Sequence, residues 1–435
     1  MKTIPVRPLP PTGPARARVP PVDASWRPAW LLAAPHRLGF FAAALMMALS
    51  ALWWAAMLLA RALGSPIAWA VAPAAAHGLL MALGFTPLFI AGFLFTAGPK
   101  WLGLPEVQAR SLLPAVALML AGWLLAVPGF HWQALLASAG IAAVAVGWSL
   151  LCLRFIALLR RSRVDDRVHP GVVTVACGMG VISLWLAAAA LALNDITLLR
   201  SATQLGLWGF VATVFVTVSH RMIPFFSASA VPRLDAWRPM WLLWMLVAVM
   251  WLELLPALAE LWWWPLSPLL RWAQVALELP AALLLLWLAL RWGLVQSLKI
   301  RLLAMLHGGF LWLGIALALN ALSHALMALS AGELSLGLAP LHAMTMGYLG
   351  ATLFAMATRV SSGHGGRPLA ADNTAWALYW LLQTAVLLRV LAALWPAATT
   401  ALTLAGVLAW AAATLGWSLR YGGWFGRPRV DGRPG

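Results

Sequence analysis

The chain has 435 residues, of which 63% are hydrophobic and only 9% are charged. Soluble domains carry about 25% charged and about 45–50% apolar residues, so this composition excludes a water-soluble globular domain. The same apolar content excludes a disordered chain. Cys152 and Cys177 are isolated in apolar stretches, a pattern that argues against a disulfide framework, an iron–sulfur cluster or a structural zinc site.

The first 35 residues differ from the rest, because nine prolines, among them Pro8, Pro10, Pro11, Pro14, Pro20 and Pro21, are interspersed with Arg7, Arg16 and Arg18. Proline fixes φ and removes a backbone donor, so we expect residues 1–35 to form a disordered cytoplasmic tail. The segment has no apolar core of a secretory signal. A transmembrane domain over residues 36–421 and a short basic tail over residues 422–435 complete the predicted organisation.

From Leu38 onward, apolar runs of membrane-spanning length alternate with short breaks rich in Gly and Pro. The runs predict an all-α fold, a polytopic bundle of about twelve transmembrane helices. Open sheet edges are excluded in lipid because their backbone groups would be unpaired. No internal repeat is compelling. The predicted spans are 38–63, 76–98, 111–128, 134–159, 171–193, 201–222, 238–259, 268–292, 300–329, 336–358, 374–396 and 398–421.

The distribution of Lys and Arg predicts the orientation of these helices. With the N-terminus in the cytoplasm, 25 of the 29 basic residues fall in cytoplasmic segments, and only Arg61, Arg200, Arg271 and Arg389 fall outside. This asymmetry predicts that both termini are cytoplasmic. The net charge of +17 is spread over seven cytoplasmic segments, so the expected partners of the cations are anionic lipid headgroups and not nucleic acid.

Ionisable side chains inside the predicted spans are few, and their depth sorts them into two levels. His77, His324 and His342 lie near the outer side, together with Glu253, Glu278 and Asn320. On the cytoplasmic side lie His36, His220, His307 and His364, whereas His131 and His169 are predicted to be solvated in loops. Neutral imidazole binds iron, copper and zinc, although interhelical hydrogen bonding is the alternative role for any single histidine.

Local spacings refine this prediction. His77 and Met81 are four residues apart on one helix, as are His342 and Met346, so each pair offers an imidazole beside a thioether. Such ligands suit copper(I) or low-spin haem, and the alternative role of the methionines is core filling. His307 and His324 are roughly 25 Å apart on one helix and cannot share a metal.

Three polar clusters, 96–103, 219–226 and 358–369, lie at the predicted cytoplasmic face. They contain Arg221, Arg359 and Arg367, whose guanidinium groups suit the propionates of a haem. Anchoring of the helices on the cytoplasmic side is the alternative role for each arginine.

At these clusters the sequence resembles the NnrS family of bacterial membrane proteins. The stretches that carry the resemblance are 341–347 with 357–369, 77–103, 221–226, and His36-Arg37 directly before the first predicted span. The resemblance implies a twelve-helix, multi-pass protein of the bacterial cytoplasmic membrane that contains haem and copper and is linked to nitric oxide metabolism and nitrosative-stress tolerance. Many members carry His-x-His-Glu-Met, whereas here Leu79 and Leu80 replace the second His and the Glu. Any metal site that relies on that second histidine is altered.

The leading hypothesis is therefore a haem- and copper-binding membrane protein that acts on or protects against nitric oxide, with respiratory or denitrification proteins as candidate partners. Its expected ligands are His77 and His342 on the outer level and His307 and His364 on the cytoplasmic level; the remaining candidates are His36, His220 and His324. One alternative is a transporter of a small solute or metal without redox chemistry, and another is a haem-assembly factor. The chain has no nucleophile elbow or phosphate-binding loop, so whether it is an enzyme stays open.

Overall fold

The computed structural model describes residues 25–231 and 233–432. Within these residues all regular structure is helical, and no strand is present. Most of the predicted N-terminal tail, residues 1–24, lies outside the described residues. Its last part is more regular than expected, because Pro28–Ala33 forms a short 3₁₀-helix that begins with the proline, where a missing N–H costs nothing.

Sixteen α-helices make up the described chain, and two of them continue into π-helical turns. They are α1 Pro35–Ala62, α2 Pro73–Leu83, α3 Thr86–Trp101, α4 Leu113–Trp132, α5 Ala134–Arg161, α6 Val168–Leu193, α7 Ile196–Gln204, α8 Thr213–Ala230, α9 Met240–Trp262, α10 Pro268–Arg291, α11 Leu294–Ser297, α12 Arg301–Leu329, α13 Ala339–His342, α14 Ala351–His364, α15 Asn373–Leu394 and α16 Thr399–Phe425. The π-helical segments are Leu205–Ala212, between α7 and α8, and Ala343–Gly350, between α13 and α14.

Eleven helical segments of the described chain are long and apolar enough to cross a membrane. The continuous helical segment 339–364 provides a further crossing, because 26 residues at about 1.5 Å each exceed the ~30 Å of a hydrocarbon core. The prediction of a helical membrane bundle with about twelve spans is therefore confirmed.

The spans fall into three successive groups of four, and the second span of each group is interrupted. The interruptions are the α2–α3 junction at Gly84 and Phe85 and the two π-helical segments. These three interrupted spans, which we call the inner helices, are α2–α3, α7–α8 and α13–α14. The sequence suggested no repeat, because the pattern is one of helix geometry and not of residue identity.

Glycines let the first helix of each group approach its inner helix closely. A Cβ added at Gly39 of α1 would lie 2.5 Å from the Cα of Gly92 in α3. In the second group, a Cβ at Gly206 would lie 2.5 Å from the Ser183 hydroxyl oxygen of α6, and in the third a Cβ at Gly309 of α12 would lie 2.8 Å from the backbone nitrogen of Thr352. Small residues at these crossings are the usual solution for helix packing in lipid.

The two ends of the described chain meet at one face of the bundle. The backbone N–H of Arg27 donates to the carbonyl of Gly426 over 2.8 Å, and Nη1 of Arg37 donates to the carbonyl of Arg427 over 2.7 Å. We call this face the N/C face, and the other the opposite face. The side of the membrane on which the N/C face lies stays a prediction.

Asp372 caps the N-terminus of α15 at the N/C face. Its carboxylate accepts a hydrogen bond from the backbone N–H of Ala375 and pairs with Arg420 of α16. Burial opposes the charge of Asp372, but these hydrogen bonds outweigh it and lower the pKa of the carboxyl.

Three expected helix ends are wrong by several residues. Proline 128 lies inside α4, which ends only at Trp132, and Pro224 lies inside α8, which continues to Ala230. The cluster 358–364 belongs to α14 instead of following it. Prolines are tolerated within these spans because neighbouring groups satisfy the freed backbone atoms in a bundle interior.

Candidate functional site

The clearest convergence of histidines lies at the N/C face, where α1 begins and α14 ends. The imidazole rings of His36 and His364 face each other with centroids 4.5 Å apart. His36 is buried, and its Nδ1 finds no hydrogen-bond partner among the described residues. Sequence analysis placed both histidines at this level but expected His364 to join His307.

Basic side chains surround this pair. Arg37, Lys100 and Arg429 act electrostatically on both imidazoles. Arg429 lies after the last helix, and its ion pair with Asp431 raises the pKa of its guanidinium. A positive environment of this kind attracts anionic groups such as carboxylates.

His307 lies elsewhere on the same half of the bundle. It is fully buried in α12, with Nε2 2.9 Å from the Ser227 hydroxyl oxygen of α8 and Nδ1 without a partner in the described chain. It therefore does not join His364, although it keeps one nitrogen free for a ligand.

His220 also forms a different pair. Its Nε2 lies 3.1 Å from the carbonyl oxygen of Pro239, and its Nδ1 lies 3.0 Å from Nε2 of His169. If both rings are neutral, His220 donates to the carbonyl and accepts from His169, which leaves the buried Nδ1 of His169 without a proton or a partner. His169 was expected in solvent; it lies instead in the first turn of α6 and is buried, so that expectation is wrong.

At the opposite face, His77 of α2 stacks on Trp54 of α1, with ring centroids 4.0 Å apart and planes inclined by 20°. Its Nδ1 is buried and has no partner in the described part of the chain. His342 and Arg389 act on it electrostatically, so the two histidines expected at this level do lie on neighbouring parts of the bundle.

His342 ends α13, immediately before the second π-helical segment. Its Nδ1 donates to the carbonyl of Leu338 over 2.8 Å, which leaves Nε2 as the acceptor nitrogen of a neutral ring. Metal-binding histidines typically hold the second nitrogen in this way. Met81 and Met346 are half-buried core residues on the same inner helices as His77 and His342, respectively.

The three candidate arginines all lie against aromatic rings. Arg359 lies 3.9 Å from the ring centroid of Phe226, Arg367 3.9 Å from that of Trp424, and Arg221 5.1 Å from that of Trp101. Arg367 follows α14 in a loop, where burial lowers the pKa of its guanidinium. All three side chains belong to the half of the bundle that contains the N/C face.

A small apolar cavity of about 60 Å³ lies where the three inner helices meet. It is about twice the ~30 Å³ that one water occupies in the liquid, so it has room for a diatomic gas and not for a haem. The hydroxyl of Thr352 is the polar group with no partner there among the described residues. Its wall consists of Phe40, Phe89, Ile90, Phe93, Val214, Phe215, Val218, Thr352, Leu353, Met356, Ala357 and Val360.

His324 belongs to a network of carboxylates. Its Nδ1 lies 2.9 Å from Oε2 of Glu278, and its Nε2 lies 3.7 Å from Oε1 of Glu260. Within residues 25–231 and 233–432, no three His, Cys, Asp or Glu side chains are arranged so that they could hold a metal ion. The metal candidates are therefore imidazole pairs or single imidazoles.

Sequence reasoning missed several members of these clusters. His131 was expected in a loop; it lies in the last turn of α4, accepts from the indole N–H of Trp53 at 2.9 Å and is 3.0 Å from the carbonyl of Ala68. Glu260 and Arg271 were not assigned to any site. Arg271 lies inside the predicted span 268–292, where a charge is rare and is a cue to a function, whereas Glu260 lies one residue beyond the predicted span 238–259. Trp54 was assigned to the membrane interface, and no sequence signal marked its stacking on His77.

The family model described as NnrS protein matches residues 30–429, almost the whole chain. No curated protein and no solved structure matches.

Proposed function

Because the chain belongs to the NnrS family, we propose that it is a haem- and copper-binding membrane protein that acts in nitric oxide metabolism or tolerance of nitrosative stress. The His36–His364 pair carries the proposal. Two imidazoles from distant parts of the chain face each other at 4.5 Å, and the buried Nδ1 of His36 lacks a partner in the described chain. An unpaired buried nitrogen costs free energy unless a ligand satisfies it.

The spacing of this pair favours copper over haem. Imidazole nitrogens bind a metal ion at about 2.0–2.1 Å, and two rings with centroids 4.5 Å apart can share one ion in a bent arrangement. The two rings lie too close together for a haem to fit between them. We therefore assign copper to His36 and His364.

Haem iron takes a single imidazole in this proposal, with His77 and His307 as the candidates because each has a buried Nδ1 without a partner in the described chain. Arg359 is the cation suited to a propionate near His307, because it lies over the ring of Phe226 and the adjacent Ser227 contacts His307. Arg221, over the ring of Trp101, is the second candidate cation. Bound haem supplies an iron atom that coordinates a diatomic gas, and bound copper supplies a one-electron couple. The protein contributes the donors, their burial and the exclusion of water.

The central cavity supports a gaseous ligand. Its wall is almost entirely apolar, and its volume of about 60 Å³ suits a small uncharged molecule. Such a gas crosses the bilayer without a polar path, so an apolar chamber between the inner helices is sufficient to hold it.

The test is a metal and haem analysis of the full chain purified in detergent. We expect copper by elemental analysis and a visible haem absorption band. His36→Ala and His364→Ala should each lose the copper and keep the haem, whereas the control His131→Gln should keep both. Absence of iron and copper from the wild-type protein would refute the proposal and favour solute transport, and retention of copper by both variants would refute the assignment of the pair.

The physiological role needs a separate measurement. A bacterial strain that lacks its own NnrS-family gene should resist a nitric oxide donor when it expresses the wild-type chain. It should resist less well when it expresses His36→Ala at equal abundance in the membrane. Equal growth with and without the wild-type chain would contradict the role in nitrosative stress.

A further inference from the structure

A crevice of about 280 Å³ lies between α9 and α10, away from the histidine pairs described above. Leu255 and Leu277, on its rim, are 60% and 52% exposed. On membrane-spanning helices such exposure faces hydrocarbon, so the crevice is open to the bilayer. Most of its lining is apolar: Val249, Leu252, Leu255, Pro256, Ala259, Leu266, Leu270, Ala273, Leu277 and Ala281.

Three polar side chains, Glu253, Gln274 and Glu278, also line the crevice. Both carboxyl groups are 5% exposed, so they are held within the protein. Asn320 donates from Nδ2 to Glu253 over 2.7 Å and to Glu278 over 3.3 Å, and Glu278 also contacts His324 at 2.9 Å. The two carboxyl groups are thus fixed in place while each keeps acceptor capacity.

Gln274 is an unpartnered donor at this site. It is 9% exposed, and its Nε2 has no hydrogen-bond partner among the described residues. Its orientation is set because Oε1 accepts from Nη1 of Arg271 over 3.2 Å, and Arg271 in turn pairs with Glu260. A buried amide N–H₂ without an acceptor points to a missing ligand atom that accepts a hydrogen bond.

The size of the crevice decides between classes of ligand. A cavity of about 150 Å³ holds benzene, so 280 Å³ holds one substituted ring and is far larger than a single ion needs. The opening to the bilayer provides room for an apolar tail. The polar groups require a head that donates to a carboxylate and accepts from an amide, and a ring hydroxyl does both.

We propose that this crevice binds a lipid-soluble hydroquinone, with a ring hydroxyl accepting from Gln274 and donating its proton to one of the two carboxyl groups, Glu253 or Glu278. The proposal concerns binding and does not depend on the haem or copper sites. The oxidised quinone has no hydroxyl to donate, so it binds more weakly than the reduced form.

The experiment measures equilibrium binding of decylubiquinol and decylubiquinone to the full chain in detergent. We expect saturable binding, at least fivefold tighter for the quinol. Gln274→Leu should weaken quinol binding about five- to tenfold, as expected for one lost neutral hydrogen bond. Ala273→Trp should abolish binding, because Ala273 lines the crevice and the indole fills it.

Two matched controls separate a specific site from partition into the micelle. Ala276→Trp places the same indole three residues along α10, at an exposed position outside the crevice. Gln383→Leu removes another buried glutamine whose Nε2 is unpartnered in the described chain. Both controls should bind the quinol as the wild type does. Non-saturable binding, equal effects of the two tryptophan variants, or competition by decanol at equal concentration would overturn the proposal.

Discussion

The close approach of α1 and α3 predicts a large effect of a single methyl group at Gly39. A Cβ there would lie 2.5 Å from the Cα of Gly92 and 2.7 Å from its backbone nitrogen. Ordinary contacts begin at 3.4 Å, so Gly39→Ala forces the two helices apart by about 0.9 Å. Backbone atoms cannot turn aside as a flexible side chain would, and overpacking of this kind costs about 1–3 kcal/mol.

Gly178→Ala in α6 is the matched control, because nothing lies within 4 Å of an added Cβ. Alanine has the higher helix propensity by about 1 kcal/mol at both positions. The two variants should therefore differ by about 1–3 kcal/mol, with Gly178→Ala at least as stable as the wild type. The assay is thermal unfolding of the full chain in one detergent, followed by tryptophan fluorescence.

Gly39 also lies one turn after His36, so displacement of α1 moves His36 relative to His364. We expect Gly39→Ala to lower both the copper content and the unfolding midpoint. Gly178→Ala should lower neither of them. Equal midpoints for the two alanine variants would show that α1 and α3 move apart without cost at this crossing, and the steric argument would then be wrong.

Three further outcomes are expected. Asp372→Ala removes the helix cap and the partner of Arg420, so it should cost about 0.5–2 kcal/mol at pH 7. Because the folded pKa of Asp372 is lowered, the wild-type advantage that depends on its charge is present above about pH 4 and is lost as the pH falls below it, which unfolding midpoints measured against pH will show. Ala357→Val partly fills the central cavity and should slow nitric oxide binding, measured by stopped-flow absorption, without loss of metal. Arg37→Gln loses charged hydrogen bonds to the carbonyls of Phe425 and Arg427, so limited proteolysis should cleave the C-terminal segment faster, and an unchanged rate would refute this role.

The membrane bundle could be predicted from the sequence because lipid imposes a simple rule. Runs of about 20 apolar residues must form helices, and the predicted spans agree with the observed ones within a few residues over most of the chain. The expected ends at Pro128 and Pro224 failed because proline signals a break in water, whereas inside a bundle neighbouring groups satisfy the freed backbone.

The depth of each histidine was predictable, but its partner was not. Depth follows from position along a span of known rise, which placed His36, His307 and His364 on one level. Which of them meet depends on how the helices are arranged around the bundle and on local rotation. The 3.6-residue helical period does not reveal how helices are arranged around the bundle. His364 was therefore expected to form a ligand pair with His307, whereas it lies beside His36.

The π-helical segments explain why the sequence did not predict the rotation of side chains about the helix axis. A π turn holds an extra residue, so side chains beyond it point in different directions from those that an uninterrupted α-helix would give. In the third inner helix the segment Ala343–Gly350 separates His342, near the opposite face, from Thr352 and Ala357 at the central cavity and His364 at the N/C face. One span can thereby serve three sites along roughly 33 Å of helix. A change that restored regular α-helical geometry there would rotate all later side chains of this span about the helix axis. The π-helical segment therefore determines where His364 and the cavity wall lie.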